Sequence, residues 1–278
     1  MLTILHISDL HFGPPYLPRV GEALLRIAPT LNADVIVNSG DFTQRAKREQ
    51  FAEAKLFHEQ LPDVPRVVVP GNHDVPLYRV FERIFRPLDN YRSSINDELD
   101  HIVRIDGAVI VALNSTSPHR AITNGRIRRE QLDFCERAFL EAPEDAVRIV
   151  VAHHHFAPAP DYEGDQTLPG SKRALRKLTA VGLELIMAGR LLLAYFGNSL
   201  DIHPGILRDR GIIIVQCGTT TSRRGRARER EKNSFNLVQV SKSMVHVTHY
   251  MYFSDNDEFE PASRHTFPRP GMRYDHEG

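Results

Sequence analysis

Four groups of residues in this 278-residue chain have the types and spacing to do chemistry: Asp9-Leu10-His11, Gly40-Asp41, Gly71-Asn72-His73-Asp74 and His153-His154-His155. Each follows an apolar, β-branched run: Leu2–Ser8, Ala33–Ser39, Val67–Val69 and Val147–Ala152. A fifth run, Leu183–Ala188, leads into Gly189-Arg190-Leu191-Leu192. Open α/β sheets build sites in this way, because ligands bind outside the carboxyl ends of the strands. The five runs are therefore expected to deliver their polar ends to one edge. Hard and borderline divalent metals take carboxylate, imidazole and amide oxygen ligands, and two such ions about 3.5–4 Å apart can drive the hydrolysis of phosphate esters. Asp9, His11, Asp41, Asn72 and His153 supply that ligand set.

Asp9-x-His11, Gly40-Asp41, Gly71-Asn72-His73-Asp74 and a later strand-end His, in this order, resemble the calcineurin-like metallophosphoesterases over roughly Leu2 to Phe253. An ordered four-part signature is far more specific than any single short motif. The resemblance implies that Asp9 and His11 hold one metal, Asn72 and His153 the other, and that Asp41 bridges them. A hydroxide shared by the ions then attacks phosphorus in line with the leaving oxygen. His73, as an imidazolium, is expected to protonate that oxygen, with Asp74 orienting it. Of the three histidines, His153 matches the family position. His154 is the alternative ligand or a substrate contact, since neighbouring side chains on a strand face opposite ways, and His155 is expected to be structural or at the rim.

The last part of the signature departs from the family. Gly-His-x-His is replaced by Gly189-Arg190-Leu191-Leu192, so both histidines are missing. In the family one of them ligates each metal, so reduced occupancy is expected. Arg190 adds a charge that repels a cation but can hold a substrate phosphate bidentately. Drift to weak catalysis, deliberate substitution, and a site of fewer metals with Arg190 as a phosphate clamp all remain open.

The elements that must position these residues are legible from hydrophobic spacing. Val20, Ala23, Leu24, Ile27 and Leu31 predict one crossover helix, and Phe51, Ala54, Phe57 and Leu61 a second. Alternation of strand and helix implies right-handed βαβ units and a largely parallel sheet. His6 interrupts an otherwise apolar first strand and reads as a packed core histidine. Leu77–Asn90 is expected to be helical with Val80, Phe81, Ile84 and Phe85 on one stripe. Asp106-Gly107 predicts a hairpin. Arg128–Leu140 and Ser171–Val181 read as helices, with Ser171 as N-cap and Gly182 as the stop. Ile212–Cys217, Ser234–Val240 and Met244–Phe253 are expected to form a second, mixed or antiparallel sheet. The fold class is α/β: a four-layer α-β-β-α sandwich of two mixed sheets flanked by helices, spanning residues 1–253. The Pro- and charge-containing stretch 254–278 is expected to be an extended or partly disordered tail.

Thirty-five basic residues balance 35 acidic ones, so no overall field favours a polyanion or a membrane surface. A small phosphodiester, such as a cyclic nucleotide or a glycerophosphodiester, is the expected substrate, and nucleic acid is not favoured. Gly218–Ser222 and Asn233–Asn236 resemble the phosphodiesterase branch related to cyclic nucleotide hydrolases. The run Arg223–Lys232 is interleaved with Glu229 and Glu231 and reads as a solvated loop. A DNA-repair-type nuclease and a catalytically weak binding or regulatory protein are the competing readings. The expected cofactors are two divalent ions, Mn, Fe or Zn. Only Cys135 and Cys217 are present, no apolar run is long enough to span a bilayer, and the chain starts directly into a strand, so a cytoplasmic location is expected.

Overall fold

The computed structural model describes residues 1–119, 125–156, 167–189, 196–198, 211–224 and 232–270. Its strands are β1 (Leu2–Ile7), β2 (Val35–Asn38), β3 (Arg66–Val68), β4 (His101–Ile105), β5 (Ala108–Leu113), β6 (Val147–Ala152), β7 (Leu185–Ala188), β8 (Phe196–Asn198), β9 (Ile213–Gln216), β10 (Ser234–Val240), β11 (Met244–Phe253) and β12 (Glu258–Pro268). Among the described residues they form two six-stranded sheets, ordered β12-β11-β10-β1-β2-β3 and β4-β5-β6-β7-β9-β8. β1, β2 and β3 run parallel, as do β5, β6, β7 and β9, which brings their carboxyl ends to one edge.

Strand alternation sorts the apolar side chains into three cores. Ile4, Val37 and Val67 face Ile110, Ile149 and Met187 between the sheets. Leu5, Ile7 and Ile36 turn outward onto Leu24 of α1 (Pro18–Ile27) and onto Phe51 and Phe57 of α2 (Arg48–Gln60). Val109, Val111 and Val150 of the second sheet turn onto Leu132 and Phe139 of α5 (Arg129–Leu140) and Leu175 of α6 (Ser171–Ala180). These layers are helix, sheet, sheet, helix. Asp106-Gly107 closes the β4–β5 hairpin with Gly107 at φ 74°, as the sequence predicts.

Three expectations change. The C-terminal strands do not build a sheet of their own. β10 pairs antiparallel with β1 and extends the first sheet, whereas β9 joins the second. Composition identified the strands but carries no information about which edge they join. Leu77–Asn90 is two short helices, α3 (Val80–Phe85) and α4 (Asp89–Ser94), separated at Pro87, which has no amide proton for a helical bond. The stripe predicted there is exposed, with Phe81 and Phe85 at 72% and 66%. Ser171 is the first residue of α6 and makes no cap, because Gly170 occupies the N-cap position in the left-handed region.

The boundary at 253 also moves, since β12 pairs with β11 along nearly its whole length. An edge strand tolerates the prolines that suggested a tail, because its outer face needs no donors. Pro261 sits where the register shifts between His249 and Tyr250. Just beyond, the Arg269 guanidinium donates to Glu184 Oε2 at 2.5 Å and Oε1 at 3.0 Å, and to the Asp145 carbonyl at 2.9 Å. Both side chains are 8% exposed, so removing one strands a buried charge. Arg269→Ala is expected to cost about 3 kcal/mol and to lower the thermal midpoint by on the order of 10 °C. A shift within about 2 °C of zero in a thermal melt would show that this clamp holds nothing together.

Two buried histidines support the strand ends that carry the site. His6 Nε2 meets Ser39 Oγ at 2.9 Å, and the Asn38 amide donates to His58 Nε2 at 2.9 Å, a bond that requires the neutral ring. Burial pushes both pKa values down to about 3. The unfolded chain therefore binds protons below pH 6.5 that the folded chain refuses. Stability present above pH 6.5 is lost as pH falls toward 3, by about 2 kcal/mol per histidine at pH 5. Urea midpoints at pH 7 and pH 5 test this; replacing both with apolar residues should flatten that dependence.

Candidate metal centre

The turns after β1 and β2 are locked face to face by backbone bonds: the Asp9, His11 and Phe12 amides donate to the Gly40, Asp41 and Phe42 carbonyls at 2.9, 3.0 and 2.8 Å. Within this lock Asp9, His11 and Asp41 take left-handed backbone angles, φ 53°, 51° and 57°. Such conformations cost non-glycine residues on the order of 1–2 kcal/mol each. Three in one buried spot mark a place where the surroundings override local preference. The outcome is a cluster in which ligand atoms of Asp9, His11 and Asp41 lie within 4.8 Å of one another.

Asp41 is the centre of the arrangement. Its Oδ1 accepts the His73 amide at 2.7 Å, and its Oδ2 lies 3.7 Å from His11 Nε2 and 3.6 Å from His153 Nε2. His11 Nε2 is also 3.4 Å from Asp9 Oδ1, and His153 Nε2 is 3.2 Å from Asn72 Oδ1. Two half-sites thus meet at one carboxylate. Gly71 permits this closeness, because a Cβ there would lie 2.1 Å from Asp41 Oδ1.

Backbone carbonyls fix the rings. His153 Nδ1 faces the Ser39 carbonyl at 2.8 Å, and His11 Nδ1 faces that of Thr43 more loosely at 3.4 Å. A carbonyl only accepts, so each Nδ1 carries a proton, and Nε2, which points into the cluster, is the nitrogen whose lone pair would hold a cation once it is free of its own proton. Burial disfavours a charge on His11, yet its bond to Asp9 and the field of Asp41 outweigh that and raise its pKa. Burial likewise opposes ionisation of Asp9, but His11, His153 and Ser8, whose hydroxyl donates to it at 2.6 Å, hold it well below the usual range. Asp41 has no Lys or Arg partner among the described residues. Two buried carboxylates surrounded by imidazole lone pairs and an amide oxygen form a donor set with negative charge to neutralise, which fits divalent cations.

His154 is not part of this cluster. Its Nδ1 meets Ser115 Oγ at 2.8 Å on the far side of the strand, and Gly125 packs against its ring. His155 is buried. Arg190 and Leu192 lie outside the described residues. Gly189 is packed against the centre: a Cβ there would lie 2.2 Å from Ser8 Oγ and 3.0 Å from His153 Nδ1.

Two expectations about His73 and Asp74 are revised. The Asp74 carboxylate does not orient His73. It accepts the Phe42, Thr43 and Gly71 amides at 3.1, 2.9 and 2.9 Å and the Thr43 hydroxyl at 3.0 Å, so it ties the Asp41 loop to the Asn72 loop. The His73 ring is oriented instead by the Gln44 carbonyl, 3.1 Å from Nδ1, and lies edge-on to His11 with 4.8 Å between centroids. Burial lowers its pKa to about 4, with His11 and Arg224 adding to the effect against Asp41. His73 is neutral at pH 7, with Nε2 an acceptor.

Arg224 escaped the sequence reading, which placed it in a solvated loop. Thr219 Oγ1 donates to the Asp9 carbonyl at 2.9 Å, Thr221 Oγ1 to that of Leu10 at 3.0 Å, and the Ser8 amide to Thr220 Oγ1 at 3.1 Å. This stitching brings the Arg224 charge within reach of His11 and His73. The Thr-Thr-Thr-Ser run before it was the available signal.

Comparison with known proteins agrees with this geometry. The family model for calcineurin-like phosphoesterases matches residues 2–189. A probable glycerophosphodiester phosphodiesterase, GpdQ, from Arcobacter nitrofigilis is 28% identical over 122 residues, a stretch spanning 43% of this chain and 41% of that relative. Among solved structures, the purple acid phosphatase PPD1 of yellow lupin superposes with a TM-score of 0.70 at 12% identity, covering 96% of this chain and 54% of that one. A dimetal phosphatase of Danio rerio gives 0.59 at 11% identity, covering 96% and 99%. At such identities the two structures speak for the fold.

Proposed function

The chain belongs to the calcineurin-like phosphoesterase family, and on that premise we propose that it hydrolyses small phosphodiesters with two divalent ions held by Asp9, His11, Asp41, Asn72 and His153. The observation that carries this reading is the position of Asp41 Oδ2 between His11 Nε2 and His153 Nε2, at 3.7 and 3.6 Å. One carboxylate oxygen shared by two half-sites is what a dinuclear centre needs. Divalent ions held by these residues would supply an acidified water and polarisation of the phosphoryl oxygens. Mn, Fe and Zn all suit this ligand set. Preference for diesters is supported by the glycerophosphodiester phosphodiesterase relative.

The chain's own groups do the rest. Asn72 and His153 hold one side of the centre, Asp9 and His11 the other, and Asp74 keeps the two loops in register through its four accepted bonds. His73, neutral at rest with Nδ1–H on the Gln44 carbonyl, would receive at Nε2, through solvent, the proton that the attacking water gives up as its oxygen bonds to phosphorus, and would pass that proton to the departing oxygen as the P–O bond breaks. His73→Asn should lower kcat by about a hundredfold or more on diesters with alkyl leaving groups and far less on those with nitrophenyl groups. An equal loss on both would remove the proton-transfer role.

A second reading is supported by Gly189-Arg190-Leu191-Leu192: a protein that keeps the fold and binds phosphate compounds with little turnover. Hydrolysis of bis-p-nitrophenyl phosphate with added Mn, alongside elemental analysis of the purified chain, separates the two. Turnover that tracks metal content supports the phosphodiesterase. Metal-free, inactive protein under saturating Mn overturns it and leaves family membership intact.

A further inference from the structure

A cavity of about 610 Å³ opens beside the metal centre, where the Gly125–Arg129 segment, the end of β6 and the start of α6 meet. Its position relative to the centre is set by Gly125, which packs on the His154 ring, itself edge-on to His153 with centroids 5.1 Å apart. The apolar lining that reaches the surface is Ile127 and Pro169, which lie over the buried Phe156 and Leu168. The rim is cationic: Arg126, Arg128, Arg129 and Arg173 all line it. No carboxylate lines it among the described residues, and none stands in the first turn of α6.

Among the described residues no carboxylate is bonded to these four arginines. Elsewhere the guanidinia of Arg19, Arg79, Arg92 and Arg104 each meet a carboxylate within 3.0 Å. At the cavity, Lys177 is already neutralised by Asp133 and Glu136. Among the described residues the side chains of Arg126, Arg128 and Arg173 make no hydrogen bond or ion pair, and Arg129 feels the Asp133 carboxylate without being bonded to it. Four like charges around a concave, partly apolar lining repel one another and focus a positive potential, an arrangement that an anion relieves. Guanidinium forks match phosphate oxygens bidentately, and the volume falls in the range of small-molecule sites.

We propose that this cavity is a second ligand site, separate from the metal centre, for an organic phosphate: a phosphate dianion on the arginine rim with an apolar or aromatic body against Ile127 and Pro169, as in a nucleoside monophosphate. The inference concerns binding, so it stands or falls independently of turnover. Its location also explains how a chain with equal numbers of acidic and basic residues can still recognise an anion: the charge is concentrated rather than spread.

Calorimetric titration of the full chain with adenosine 5′-monophosphate, at low and moderate salt, tests the site. The double variant Arg128→Ala/Arg173→Ala alters exposed side chains only and is expected to weaken binding at least tenfold. His11→Ala, which disturbs the metal centre, should leave it unchanged, and inorganic phosphate should bind more weakly than the nucleotide. Absence of binding to the wild-type chain, unchanged affinity in the double variant, or a loss that follows His11→Ala instead would each overturn the proposal. Phosphate binding as tightly as the nucleotide would overturn the role given to the apolar lining.

Discussion

Arg190→His combined with Leu192→His is expected to raise metal-dependent hydrolysis of bis-p-nitrophenyl phosphate by at least about a hundredfold. Each 1.36 kcal/mol of transition-state stabilisation is a factor of ten in rate, and a lost metal ligand is worth more than that. The rest of the centre is intact in geometry: Asp41 sits between His11 and His153, and Gly189, from which the altered motif starts, still packs on Ser8 and His153. The single substitutions should each give a small part of the gain, because two ligands completing one shared centre act together. Metal content should rise in parallel, which ties the effect to the ions rather than to the loop. A double variant with full metal occupancy and no increase in turnover would mean that the chain lost more than two ligands on the way to its present sequence.

Asp41→Asn should be the most damaging single change in the centre, with a loss of activity of about a thousandfold or more. The substitution keeps the shape and leaves one oxygen for the His73 amide, but it removes the charge that His11 and His153 share. It also separates function from folding. The asparagine side chain fills the same space and keeps an oxygen for the His73 amide, so the metal-free chain should stay folded. Metal-induced stabilisation, which follows the ratio of free metal to its dissociation constant, should nevertheless vanish. Thermal midpoints with and without Mn provide the comparison. If the variant retains the wild-type upward shift, Asp41 is not the bridge.

The order of the strands' polar ends was readable because buried parallel strands are written as uninterrupted Val, Ile and Leu, and their ends as Gly with a polar residue. Asp9, His11, Asp41, Asn72 and His153 were found that way, and the structure brings all five together. His153 was preferred over His154 by its match to the family position, since alternation says only that they face opposite ways; in the structure His153 faces the centre and His154 turns to Ser115. Asp74 and His73 were misread for a related reason. A carboxylate next to a histidine in sequence suggests a pair, yet the tight turn aims Asp74 at three backbone amides and leaves the ring to a carbonyl at Gln44. Arg224 was hidden because charge patterning registers composition and cannot show that three threonines stitch the preceding turn to the Ser8–Leu10 segment. Sheet assignment of β9 and β10 was equally out of reach, since neither the four residues of β9 nor the mixed pattern of β10 names the strand it pairs with.

His153 belongs to the second sheet, whereas Asp9, His11, Asp41 and Asn72 hang from the first, and the layer between them is purely aliphatic around Ile4, Val37, Ile149 and Met187. Aliphatic contacts resist separation but, being non-directional, add no bond that fixes the lateral alignment of the sheets. The candidate metal centre therefore bridges the two sheets, and the spacing of its two halves is a gauge of how the sheets are aligned. A metal bound there would tie the sheets together, and changes in the distant apolar layer would reach its affinity through that alignment.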